Sequence, residues 1–386
     1  MLALLLFFFG CAVSKKIILT PKKDAAVNML LMNAFNDDHG VTHLATINDQ
    51  AFYQVDDSSF YVHANTYKAM YEVEEEQTFT VTKLEDANFI LIDDFDSRAA
   101  PWHLDRIVKE SLPLDGNFPY NSSGSCHTNK DLDIHTYVID TGIDVTHPEF
   151  EGRATWLENF IDDTDTDCQS HGTHCAGLVG SKSYGACKDA RLFAIKVLGC
   201  DGSGSTSSVI RGIEYAYNRH VKQVKDSVKK VKSIVSMSLG GGFSGALNAA
   251  VKATLKDPNF YFAAAAGNEN NDACRTSPAS VREIFTVMAS DRYDKRAYFS
   301  NYGNCADIYS PGVNVVSTVP GGRTAMYSGT SMSTPVLVGV LNHYVDTYPQ
   351  LNMADIKKKV LQSASKNKII GHVGKTGNNA LIYISR

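Results

Sequence analysis

The chain has 386 residues, 44% of them apolar, which is enough for two or three domains and a large buried core. Its 37 basic and 42 acidic side chains leave a formal charge of −5, which gives no footing for a nucleic-acid partner. The sequence shows no internal repeat, so solenoid and propeller architectures are not expected.

Residues 1–9 hold an apolar core over positions 2–9, and the small residues at 10–14 then offer a signal-peptidase site. The run is too short to span a bilayer. Residues 1–14 are therefore expected to be a signal peptide, with the remainder delivered to a secretory lumen or the cell exterior, free of the membrane. From 15 to 94 there is no cysteine, and 14 acidic against 6 basic residues give a balance of −8, leaving +3 for the chain beyond residue 94. Apolar runs at 17–19, 60–63, 79–81 and 89–92 predict strands and 25–35 predicts a helix, so residues 15–95 read as a small α+β domain.

Residues 96–386 are patterned differently. Short β-rich runs at 133–139, 192–197, 233–237, 261–265 and 284–288 alternate with stretches of helical character, notably 209–229 and 334–348. That pattern predicts an α/β domain, a doubly wound and mostly parallel sheet with helices on both faces and working groups beyond the strand C-termini. Lys222, Lys225, Lys229, Lys230 and Lys232 read as a solvated helix face.

Three stretches carry chemistry. In Gly329-Thr330-Ser331-Met332-Ser333-Thr334-Pro335, a glycine turn enters a helix, with Pro335 expected in its first turn, where early N–H groups have no intrahelical acceptor. A hydroxyl at Ser331 would sit where the helix dipole favours negative charge, which suits a nucleophile. Val138-Ile139-Asp140-Thr141-Gly142 ends an apolar run on an acid, and His171-Gly172-Thr173-His174-Cys175 opens a small-residue helix on an imidazole. Asp140-Thr141-Gly142 is also the aspartic-protease triplet, but that chemistry needs a second such aspartate and the sequence has none. His171 and His174 have a spacing that could suit zinc, yet the His-Glu-x-x-His pattern is missing, and His174 reads as a packing residue. The remaining order of acid, imidazole and hydroxyl is that of the subtilisin-type triad.

From about residue 100 to about residue 344 the sequence resembles the subtilisin-like serine proteases, most closely their proteinase K-like branch. The stretches 140–153, 238–242, 265–268, 289–302 and 329–335 carry the resemblance. It implies a serine endopeptidase in which Ser331 attacks, His171 moves the proton, Asp140 orients His171, and Asn268 with the Ser331 N–H forms the oxyanion hole, with no cofactor for catalysis. It also implies a substrate cleft walled by Ser238, Leu239, Gly240 and Gly241 (with Gly242 beyond), by Ala265, Ala266 and Gly267, and by Gly202, Ser203 and Gly204. No acidic residue stands in these walls, so broad specificity with an aliphatic or aromatic P1 residue is expected on protein or peptide substrates.

The same resemblance implies bridges Cys168–Cys200 and Cys274–Cys305, a free Cys175, and a structural calcium held by Asp307 with the carbonyls of Arg282 and Ile284. Cys126 and Cys187 are then left as a further expected pair. By layout, residues 15–95 resemble an inhibitory, folding-assisting pro-domain acting in cis on a monomeric enzyme. Its last strand, 88–92, is expected to enter the cleft, and a polar linker at 94–98 to be cut. Pro101-Trp102-His103-Leu104 resembles the segment near the mature N-terminus of that branch, with His103 in place of Gly. Thr206 stands where a Tyr is often found, and Ser333 where Ala is common. A catalytically silent family member used as a binding protein is the alternative reading.

Overall fold

A computed structural model describes residues 15–22, 41–81, 100–118, 126–373 and 378–384. The expected signal peptide, the 25–35 helix, the 88–92 strand and the 94–98 linker lie outside these residues. The chain divides into two compact units, Met1–Thr46 with Ala51–Glu76, and Ile47–Gln50 with Gln77–Arg386.

The first unit is built on a four-stranded sheet ordered Thr42–Ile47, Gln50–Asp56, Lys16–Pro21, Tyr71–Glu75, where Lys16–Pro21 runs antiparallel to both neighbours. Asn48 and Asp49 turn the first hairpin with φ of 47° and 67°, the left-handed pair that matches strand twist. Ile17, Leu19, Tyr53, Val55, Phe60, Tyr67 and Tyr71 form its core. Residues 60–63, expected as a strand, fall instead in and just after the helix Asp57–Val62. Phe60 is buried and stacks on Tyr67 at 5.6 Å while Tyr61 and Val62 face solvent, so packing on one face overrides aromatic and β-branched propensity.

The second unit centres on a nine-stranded sheet. Its order is Ser365–Lys366, Ala380–Leu381, Ile308–Pro311, Phe285–Ser290, Phe260–Ala265, Lys230–Met237, Leu132–Asp140, Arg191–Lys196, Ala154–Asn159. Every pairing is parallel except that of the edge strand Ser365–Lys366. The central strands are almost wholly buried, as strands covered on both faces must be. The helices His171–Gly180 and Thr330–Thr347 pack together, as do Thr206–Asp226 and Gly245–Thr254. Not all of the lysine run is solvated: Lys232 lies buried in the strand Lys230–Met237 and donates to the Tyr261 hydroxyl at 3.0 Å.

A second, antiparallel sheet runs Thr276–Ser277, Leu239–Gly242, Thr78–Val81, Ser203–Ser205. Residues 79–81 are thus a strand as expected, but they pair with this unit rather than with the sheet of the first.

Candidate active site

Three adjacent parallel strands deliver the site. Leu132–Asp140 ends on Asp140, Lys230–Met237 leads into Ser238, and Phe260–Ala265 leads into Asn268. These C-terminal ends are where open α/β sheets present their working groups.

The first N–H groups of the helix His171–Gly180 have no partner within the helix, and each is met by a named group. His171 N donates to Gln169 Oε1 at 2.9 Å, Gly172 N to Thr141 Oγ1 at 2.9 Å, and Thr173 N to Asp167 Oδ2 at 2.9 Å. Thr141 Oγ1 donates in turn to Asp167 Oδ1 at 2.8 Å. Asp167, which no sequence motif singled out, therefore clamps the turn after Asp140 to the helix that carries His171. Asp167 supplies the acceptor that Ser170 at the N-cap does not, but from three residues outside the cap position, so no local capping signal marks it. A Cβ on Gly172 would collide with the Gly142 carbonyl, so this backbone contact needs a glycine at 172.

His171 Nδ1 donates to Asp140 Oδ1 at 2.7 Å, and Asp140 Oδ1 also accepts from Thr141 N at 2.8 Å. Both side chains are fully buried, and His171 Nε2 has no hydrogen-bond partner. Burial disfavours the charged imidazole, but the adjacent Asp140 carboxylate outweighs it and holds His171 well above its ordinary value. The Cys175 thiol lies 3.8 Å from His171 Nδ1 and 3.4 Å from the Ser331 carbonyl, which puts Ser331 and His171 in one buried site. Burial raises the Cys175 pKa, so the thiol stays neutral. His174 does not share that site: its Nε2 donates to the Ala325 carbonyl at 3.1 Å, its ring stacks on Tyr327, and burial lowers its pKa to about 3.

Ser331 stands in the first turn of Thr330–Thr347, and its Oγ donates to the Ser238 carbonyl at 2.9 Å. Pro335 lies one turn deeper than the sequence suggested, because the helix begins at Thr330. Its missing N–H would have bonded the Ser331 carbonyl four residues back. That carbonyl accepts instead from Ser238 Oγ at 2.9 Å and from the Cys175 thiol. Asn268 Oδ1 accepts from Thr330 N at 2.9 Å and from Thr330 Oγ1 at 2.8 Å, which fixes the amide plane and commits its NH2 end as a donor.

Between the two expected cleft walls runs Thr78–Val81. Leu239 pairs with Val81 and Gly240 with Thr80, while on the other side Gly204 pairs with Phe79 and Ser203 with Thr80. A Cβ on Gly241 would press on the buried Phe79 ring, and one on Gly202 on Val81. Thr206, where a Tyr was the alternative, bonds the Gln77 backbone in both directions at 2.9 Å.

Residues 136–379 match the model of the subtilase family. The chain is 49% identical over 263 residues to a subtilisin-like serine protease of Rhodotorula mucilaginosa, covering 66% of this chain and 73% of that protein. It is 42% identical over 299 residues to a subtilisin-like serine protease of Aspergillus niger, covering 72% and 55%, and 41% identical over 308 residues to cerevisin of Saccharomyces cerevisiae, covering 75% and 48%. The chain thus spans about half the length of these last two relatives. A crystal structure of a cold adapted subtilisin-like serine proteinase superposes with a TM-score of 0.66 at 36% identity, over 74% of this chain and 98% of that one. The chain belongs to the subtilase family, whose members of this type are serine endopeptidases acting on proteins or peptides.

In this subtilase, disulfides join Cys126 to Cys187, Cys168 to Cys200 and Cys274 to Cys305, and Cys175 is a buried free thiol. Ala265, Ala266 and Gly267 follow their strand into the turn that carries Asn268, and Asn301 Nδ2 holds the Ala266 carbonyl at 2.9 Å. Ser333 takes its extra hydroxyl to the Ser310 carbonyl at 3.0 Å. Among the described residues no helix is long and apolar enough to cross a membrane.

The expected calcium ligands are brought together, but not around a metal-sized opening. Asp307 Oδ1 and the carbonyls of Arg282 and Ile284 all converge on the ammonium of Lys357, at 2.7, 2.7 and 2.5 Å. With a positive charge already seated among the three oxygens and one carboxylate to balance it, the set as built does not fit a divalent ion.

Proposed function

We propose that this subtilase is a secreted serine endopeptidase, made as a precursor that cuts itself, with Asp140, His171 and Ser331 as triad and Asn268 in the oxyanion hole. The observation that carries the reading is the buried His171–Asp140 hydrogen bond with His171 Nε2 left unpartnered, in a site where the Cys175 thiol touches both His171 and the Ser331 carbonyl. An imidazole anchored through Nδ1 must be neutral at Nε2 to take a proton there, which fits general-base work on the Ser331 hydroxyl. That hydroxyl would leave the Ser238 carbonyl, turn to Nε2 and attack the substrate carbonyl. His171 would then return the proton to the departing amine, with the acyl-enzyme hydrolysed by the same steps run with water. The Asn268 NH2 group and the Ser331 N–H would take the oxyanion, a contribution of about 3–4 kcal/mol for such a side chain.

The strand Thr78–Val81 supports an assignment of the walls as a peptide-binding cleft, since it is held there by backbone pairing on both sides, as strand-addition ligands are. Walls without acidic residues fit broad specificity with a P1 side chain that is aliphatic or aromatic. We place the bond cut in cis near residue 95, in the polar linker at 94–98. The test is N-terminal sequencing of the wild type and Ser331→Ala expressed in a host without related proteases. The wild type should lose the segment near residue 95, and the variant should keep it. Both chains trimmed alike would defeat the reading of self-cleavage.

A further inference from the structure

The helix Met353–Ser363 is capped by Asn352, whose Oδ1 accepts from Asp355 N at 3.0 Å, and buries Met353, Ile356 and Val360 at helical spacing. Lys357 sits at the edge of that buried face, and its side chain is only 14% exposed. An ammonium has three hydrogens to place. Here they go to Asp307 Oδ1 and to the carbonyls of Arg282 and Ile284, at 2.5–2.7 Å. The other Asp307 oxygen accepts from Thr286 N at 2.8 Å. Arg282 and Ile284 lead into the strand Phe285–Ser290, and Asp307 leads into its parallel neighbour Ile308–Pro311. One side chain therefore ties a helix to the entry ends of two adjacent strands.

Three converging oxygens repel one another and need a cation between them. We propose that Lys357 is that cation, a tethered ammonium doing the structural work of a metal ion, so that the stability of this unit is indifferent to calcium and becomes calcium-dependent only when the lysine is removed. The charge around it agrees. Lys357 lines a surface hollow of about 470 Å³ with Lys256, Arg282 and Glu283, and Glu283 is paired with Lys252 at 3.3 Å, so Asp307 is the one carboxylate directed at the ammonium among these groups. A calcium ion would have to share it with the lysine. Without the lysine, the carboxylate and two carbonyls remain as hard oxygen donors, the hollow gives a way in, and water can complete the six to eight ligands calcium takes. The inference does not depend on the catalytic assignment.

The test is thermal unfolding of the full chain with Ser331→Ala present to prevent self-digestion, alone and with Lys357→Ala added, in EDTA and in millimolar calcium. The parent should melt at the same temperature in both. Lys357→Ala should melt about 5–10 °C lower in EDTA, as expected for a broken buried pair, and calcium should restore part of that loss saturably while magnesium does not. If Lys357→Ala cannot be recovered folded in EDTA, refolding in calcium replaces melting: recovery with calcium alone supports the proposal and failure in both conditions overturns it. A parent stabilised by calcium as much as the variant, a variant as stable as the parent in EDTA, or a destabilised variant blind to calcium would each overturn it.

Discussion

Asp140 with His171 and Asp307 with Lys357 are alike in construction and opposite in the use proposed for them. Each joins a carboxylate at one end of a strand of the large sheet to a nitrogen base 2.7 Å away in a buried setting. An imidazole exchanges its proton near neutral pH and a primary ammonium does not, so the first pair can pass a proton to a substrate while the second can only hold its place. Their hydrogen-bond completeness differs in the same sense. Asp140 Oδ2 and His171 Nε2 lack partners, whereas Lys357 has an acceptor for each of its hydrogens. A buried polar atom left unmatched costs stability, and the structural pair avoids that cost. The difference teaches where to look for chemistry in a buried ion pair: at the one with a position still to fill.

The largest expected effect breaks the comparison at Asp140. Asp140→Asn keeps the shape and removes the charge that orients the imidazole, and kcat/KM should fall about 10⁴-fold while circular dichroism stays unchanged. A loss below tenfold would leave Asp140 as merely structural as Asp307. Next comes a buried imidazole without any carboxylate. His103 accepts no such help: it meets the Tyr184 carbonyl at 2.9 Å, and burial pulls its pKa down to about 4. The unfolded chain therefore takes up a proton near pH 6.5 that the folded chain refuses, so stability is full above 6.5 and drains as the pH falls toward 4, by about 3 kcal/mol from this residue. Urea unfolding of His103→Gln across that window should show a flatter decline than the parent, and an equal slope would remove His103 from the account. The smallest effect sharpens the comparison at His171. Because its pKa lies above the ordinary 6.5, kcat/KM should drop about tenfold per pH unit below an inflection that is itself above 6.5. An inflection at 6.5 or lower in the pH profile would mean that Asp140 does not overcome burial.

How much of this was legible in the sequence depends on where each group finds its partner. Asp140, His171 and Ser331 were readable because each stands in a short string whose glycines answer to local backbone needs, as the contact between Gly142 and Gly172 shows. The sheet strands from 133 to 288 were readable because both faces are buried and the apolar runs are unbroken. Lys357 was not, since two of its three acceptors are backbone carbonyls 73 and 75 residues away that carry no side-chain signature. Phe60 misled because one buried aromatic in a short helix resembles one in a strand. The run 79–81 was seen as a strand, but backbone pairing at a sheet edge carries no code for the partner, so its neighbours Leu239–Gly242 and Ser203–Ser205 could not be named in advance.

The position of Thr78–Val81 between those neighbours has a consequence for competition. The strand belongs to the same polypeptide as both walls, so it meets the cleft as an intramolecular occupant, at an effective concentration that dilution of the protein does not change. A peptide arriving from solution at micromolar concentration faces odds that no amount of dilution improves, because dilution weakens the newcomer and leaves the occupant untouched. One break in the covalent link changes the reaction order. From then on the strand would be a separate solute, and on the proposed reading its hold on the cleft would weaken with every fold of dilution.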